Sequence, residues 1–151
     1  MKKLVGMMMV IVMVFAVVYS AAGERVVTDH YANEVLDWTE EWCKKNGYEQ
    51  YVENDYTLDE NGCFHGIGVM VLEDCRAAYG EDFNLDDCER ILSQFYKGVE
   101  IEIRTIGFYE GYEVMLMRAK AEDPIGQVYR NGETIDYYKG ELIFMVSEKG
   151  Y

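Results

Sequence analysis

Val99, Ile101 and Ile103 alternate with Glu100, Glu102 and Arg104. A period of two over six residues is the pattern of a strand with one buried face, and it obliges the rest of the chain to supply partner strands and a cover. The apolar positions then move to Ile106 and Phe108, a change of parity that a β-bulge at Gly107 explains. Glu110-Gly111 is a turn signal leading into Tyr112 to Ala119, and Asn131-Gly132 is a stronger one, because a two-residue type I′ turn needs positive φ at both positions. It joins 127–130 to 133–138, and Leu142 to Val146 is a fifth apolar run.

Before Val99 the period is helical. Tyr31, Val35, Trp38 and Trp42 share one face of a helix predicted over 28–46, with Asp29 in its first turn and Lys44, Lys45 and Gly47 at its end. The stretch 47–66, rich in tyrosine and acids, reads as a long loop with one short element. Ile67, Met70, Val71, Cys75 and Ala78 suit a second helix, although Ile67 to Leu72 equally suits a buried strand. A third helix is expected after Asn84 as N-cap, with Cys88, Ile91, Leu92, Phe95 and Tyr96 as its stripe. The expected class is α+β: about three helices packed on one face of a curved antiparallel sheet of four to five strands.

The N-terminus sets the expected location. Lys2-Lys3, the uncharged run Leu4 to Tyr19 and the small residues Ser20, Ala21 and Ala22 follow the order of a secretory signal peptide. The run is shorter than the roughly 20 residues that span a bilayer, although including 20–22 brings it close, which leaves an uncleaved membrane anchor as the alternative. The domains are therefore 1–22 as signal peptide and 23–151 as a single domain, with no membrane contact once the signal is removed.

The four cysteines Cys43, Cys63, Cys75 and Cys88 form an even set in an exported chain, which predicts two disulfides. Cys75 and Cys88 are equidistant from the turn at 80–83, so an antiparallel helix pair would join them and leave Cys43 for Cys63. A metal centre is the competing reading, since His65 follows Cys63 by two; with no C-x-x-C pair, neither metal nor cofactor is expected.

Charge excludes other classes. The 151 residues carry 28 acidic against 14 basic side chains, a formal charge of -14. A chain this negative opposes the phosphate backbone, so no nucleic acid is expected as partner. Ser93 and Ser147 sit in no G-x-S-x-G elbow, and no phosphate-cradling or dinucleotide glycine motif occurs. His65 is a candidate base, His30 a weaker one. Asp55, Asp59, Asn61 and Gly62 resemble part of a calcium loop, but Thr57 and Gly68 stand where an EF-hand needs its first acid and its bidentate Glu. Glu81, Asp82, Asp86 and Asp87 read as helix-start acids.

Tyrosine, at 13 residues, is the compositional oddity. Its ring with a polar tip suits contact surfaces, so Tyr109, Tyr112, Tyr129, Tyr137 and Tyr138, with His65, are the candidate contact residues for a protein, peptide or small ligand. The alternative is that these rings simply fill strand positions.

Helices first, then a curved sheet closing on Leu142-Ile143-Phe144-Met145-Val146-Ser147-Glu148-Lys149-Gly150-Tyr151, resembles the closing strands of exported NTF2-like proteins. The resemblance implies a cone-shaped cavity, in which the enzymes of that family use acids with His or Tyr; no residue of this chain maps onto that set by motif. Cystatin-like inhibitors also place a helix before a sheet, but 127–131 does not meet their Q-x-V-x-G loop. Three functions follow. A non-enzymatic binding module ranks first, because no catalytic motif is visible; a small cavity enzyme with His65 as base and a structural envelope-associated protein are the alternatives.

Overall fold

The computed structural model describes residues 30–148, with side-chain surroundings from residue 34 onward. The N-terminal apolar run, Asp29 and the last three residues lie outside them, and so does the side chain of Tyr31. No helix among the described residues is long and apolar enough to cross a membrane.

Helix α1 (His30–Lys45) ends as the sequence predicts: Gly47 takes φ 84°, and the Tyr48 N–H reaches back to the Cys43 carbonyl at 2.9 Å. Its buried stripe is Val35, Leu36, Thr39, Trp42 and Cys43, with Trp38 at the margin. The expected long loop holds a one-turn helix α2 (Glu49–Glu53) and a short strand β1 (Thr57–Leu58).

Strand β2 (Cys63–Val71) is buried at all nine positions, and only then does helix α3 (Leu72–Tyr79) begin. The second helix expected from Ile67 is thus strand up to Val71. Helix propensities differ by less than about 0.7 kcal/mol per residue, whereas fully burying an apolar side chain contributes roughly 1.5–3 kcal/mol, so a site enclosed on both faces decides the conformation. Helix α4 (Cys88–Phe95) starts three residues later than an Asn84 cap implies. Asn84 instead closes a turn, its Oδ1 accepting from the Asp87 N–H at 3.0 Å.

Strands β3 (Val99–Tyr109) and β4 (Tyr112–Ala121) form the expected hairpin, with the register shift between Thr105 and Gly107 and positive φ at Glu110 and Gly111. Strands β5 (Gly126–Arg130) and β6 (Glu133–Tyr137) pair through Asn131-Gly132 as a separate two-stranded ribbon. Strand β7 (Lys139–Ser147) returns into the middle of the main sheet, whose order is β1-β2-β7-β4-β3. The sheet is mixed, since β2 and β7 run parallel, where an antiparallel one was expected.

Both faces of the sheet are covered, not one. Even-numbered residues of β2 and β7 (Phe64, Met70, Leu142, Phe144) join α3, α4 and the ribbon in one core. Odd-numbered residues (Ile67, Val69, Ile143, Met145) meet α1 and α2 in a second. Two cores explain why β2 and β7 read as continuous apolar runs: a strand enclosed on both sides has no polar parity.

The four cysteines are free and buried, and neither expected disulfide is formed. The turn symmetry that suggested Cys75–Cys88 fails because Cys88 is the first residue of α4 whereas Cys75 lies one turn inside α3. Cys43 belongs to the core beneath α1, and Cys63 opens β2 at the far end of that face. Burial, the leading cause at each, pushes the thiols up to about 12 at Cys43 and Cys75 and about 11 at Cys63 and Cys88. Purified without reductant, the native protein should therefore react slowly with a thiol-specific chromogenic disulfide, and four thiols should react at once in denaturant. A count of zero in denaturant would restore the bridged chain.

Candidate functional site

Helices α1 and α2 cover only part of the odd-numbered face. Where their cover stops, burial begins to alternate: Arg118 and Lys120 of β4 and Lys139 of β7 are exposed, while Ala119 and Gly140 between them stay buried. Strand register then assembles two rows across the bare end of the sheet. His65, Glu141, Arg118 and Glu102 stand side by side on β2, β7, β4 and β3, and Cys63, Lys139, Lys120 and Glu100 form the next row outward. The six charged residues of these rows, with Asp59, Asn61 and Cys63, line an open cleft of about 470 Å³.

The rows differ in charge. The inner row sets one guanidinium between two carboxylates: Arg118 Nε donates to Glu141 Oε2 at 2.7 Å, and Glu102 flanks it on β3. The outer row sets Lys139 and Lys120 directly opposite each other on neighbouring strands, with Glu100 reaching the Lys120 ammonium at 3.4 Å. Like charges directly opposite on neighbouring strands oppose the pairing, so this row favours an anion above it. The Arg118–Glu141 pair, half exposed at the arginine, adds little stability of its own. Tyr51 of α2 closes the inner row; its hydroxyl is pushed up first by burial and then by the negative charge of Glu141.

At the β2 side the cleft ends on Asp59, Cys63 and His65. Asp59 Oδ1 accepts the N–H groups of Asn61 at 2.8 Å and Cys63 at 3.0 Å, which folds the 59–62 turn, and Oδ2 meets His65 Nε2 at 3.0 Å. Burial alone would raise the Asp59 carboxyl, but the His65 contact and the two backbone donors outweigh it and leave it lowered. Cys63 Sγ stands 4.0 Å from Glu141 Oε1, and its thiol is raised by burial first and then by the negative charges of Glu141 and Asp59. His65 is buried, lies edge-on to Tyr51 with ring centroids 4.9 Å apart, and its Nδ1 has no hydrogen-bond partner among the described residues.

The tyrosines singled out from the sequence lie elsewhere. Tyr109 and Tyr112 both pack on Trp38, with ring centroids 5.7 Å away. Tyr137 is core, stacked on Phe64 at 4.8 Å. Tyr129 and Tyr138 present their rings to solvent. None of the five lines the cleft, and of the six candidate contact residues only His65 is beside it. Asp55, weighed with Asp59 as a calcium ligand, accepts the Ile67 N–H at 3.0 Å instead. Sequence reasoning missed Arg118, Lys139 and Glu141. Their signal was the return of polar alternation in Arg118-Ala119-Lys120 and Lys139-Gly140-Glu141 at the ends of otherwise apolar runs.

The chain matches no family model, and comparison with the curated proteins and with the solved structures finds no match either.

Proposed function

We propose that this protein is an exported binding module that holds a small zwitterionic ligand in the cleft at the bare end of its sheet. The observation that carries the reading is the opposite balance of the two rows, a surplus carboxylate in the inner one and a surplus ammonium in the outer one. A ligand with a single charge meets attraction in one row and repulsion in the other. Rows two residues apart along a strand are separated by about 7 Å, so the best ligand carries its ammonium and carboxylate about that far apart. The cleft volume lies in the range of small-molecule sites.

Export rests on the order of residues 1–22; the free thiols remove the other argument for it. Helices α1 and α2 ahead of the first strand of the main sheet are the remaining ground for setting the chain beside the NTF2-like proteins. The enzyme reading has one observation in its favour, the Asp59–His65 contact, which orients an imidazole as a base requires. It ranks second because the imidazole is buried and the neighbouring thiol is pushed up, away from the nucleophilic thiolate.

Calorimetric titration of the full chain with glycine, 4-aminobutyrate and 6-aminohexanoate, and with acetate and tetramethylammonium as single-charge controls, tests the reading. Affinity should rise from glycine to the longer ω-amino acids and exceed both controls. Lys139→Gln and Glu102→Gln, both at exposed positions, should each weaken the best binder about tenfold, or 1.4 kcal/mol, while stability changes by no more than about 0.5 kcal/mol. Binding that ignores charge separation, or that survives both substitutions, would overturn it.

A further inference from the structure

The β2 end of the cleft carries a donor set that an organic zwitterion does not use. Cys63 and His65 are two apart on one strand, so both side chains leave the same face, and the 59–62 turn brings Asp59 back beside them. One carboxylate oxygen, the thiol sulfur and one imidazole nitrogen then lie within 4.8 Å of one another. Two features single this cluster out from the acidic side chains scattered over the surface. It mixes oxygen, sulfur and nitrogen donors, and its imidazole is more than nine-tenths buried with Nδ1 unpartnered among the described residues. With Nε2–H donating to Asp59, the lone pair on Nδ1 goes unused; with the other tautomer, the Nε2 lone pair faces a carboxylate. Either arrangement is unfavourable for a buried group; a cation on Nδ1 relieves the first, and a cation between Nε2 and the carboxylate removes the repulsion in the second.

We propose that Asp59, Cys63 and His65 bind a single zinc-class divalent ion, with its fourth position open to the cleft. The donor chemistry selects the metal. Thiolate and imidazole suit zinc and cobalt, whereas calcium and magnesium take oxygen ligands almost alone. Bonds of about 2.0–2.3 Å place tetrahedral donors about 3.3–3.8 Å apart, so the cluster needs only to draw together by about an ångström. Three protein ligands leave one position for water or for a cleft ligand. Glu141, whose Oε1 is 4.0 Å from Cys63 Sγ and whose Oε2 is held by Arg118, stands where a partner to that water belongs. The site is separate from the zwitterion reading: the metal is its own probe, and Lys139 and Glu102, which carry that reading, are not ligands.

The full chain, stripped with a chelator, is titrated with Co²⁺ and followed by absorption, then with Zn²⁺ in competition. One equivalent of Co²⁺ should give a thiolate-to-cobalt charge-transfer band with the visible bands of a four-coordinate ion, and Zn²⁺ should abolish both. Cys63→Ser should remove the charge-transfer band. Asp59→Asn keeps the oxygen that accepts from Asn61 and Cys63, so the turn survives, and it should weaken binding at least tenfold, as should His65→Gln. Circular dichroism of each variant in chelator shows whether it is folded; should Cys63→Ser or His65→Gln unfold, Asp59→Asn and the charge-transfer band of the unaltered chain still decide. The proposal is overturned if the unaltered chain shows no thiolate band, if a folded Cys63→Ser keeps it, or if Asp59→Asn binds as tightly as the unaltered chain.

Discussion

Phe144→Ala should cost about 3–5 kcal/mol in urea unfolding at unchanged slope, a large share of the roughly 5–15 kcal/mol that holds an ordinary domain folded. Phe144 is fully buried on β7, the strand that β2 and β4 flank, and the register sets it beside Gly68 on one side and Met115 on the other. Gly66 and Gly68 leave β2 without a side chain at two positions of the face that Leu142 and Phe144 share. The phenyl ring thus carries packing that its neighbour strand does not supply, and removing it opens a cavity that a fixed sheet cannot collapse to fill. Tyr129→Ala is the internal control: its ring is 76% exposed, and its loss should stay within about 0.5 kcal/mol. Equal costs at the two positions would mean that β7 does not run through the centre of the sheet.

The second large effect is expected at the bulge. Gly107 lies directly under Trp42 of α1, and a Cβ there would fall within the indole, 3.1 Å from Cε2 and 3.3 Å from Nε1. The backbone at Gly107 is not in the left-handed region, so the cost of Gly107→Ala is steric. Trp42 is buried and stacked on Tyr48 at 5.5 Å, and cannot turn aside without disturbing that pair. Overpacking of this kind costs about 1–3 kcal/mol. In a Trp42→Leu background, itself destabilised, the penalty of Gly107→Ala should largely vanish, giving a coupling of at least about 1 kcal/mol in the double-mutant cycle. Additive costs would show that the helix does not rest on the bulge.

What the sequence determined by itself is the structure that neighbouring residues enforce. The alternation from Val99 to Arg104 makes a strand, Gly107 marks the shift of register, and Glu110-Gly111 and Asn131-Gly132 turn the chain at positive φ, which Gly111, Asn131 and Gly132 tolerate. Lys44, Lys45 and Gly47 end α1 by local hydrogen bonding and charge. What only the tertiary structure decided is whatever depends on a partner far along the chain. Ile67 to Val71 carries helix and strand signals equally, and the parallel pairing with β7, closed above and below by two cores, selects the strand. That pairing sets Cys63 and His65 beside Lys139 and Glu141, so a residue weighed alone as a base becomes part of a donor cluster at one end of a charged cleft. No local pattern announces such a neighbour, because 78 residues separate Cys63 from Glu141 and the contact forms only when β2 and β7 pair. The cysteines follow the same logic: an even count suggested bridges, but burial in the cores and at the head of β2 fixed each thiol by packing, not by its spacing in the sequence.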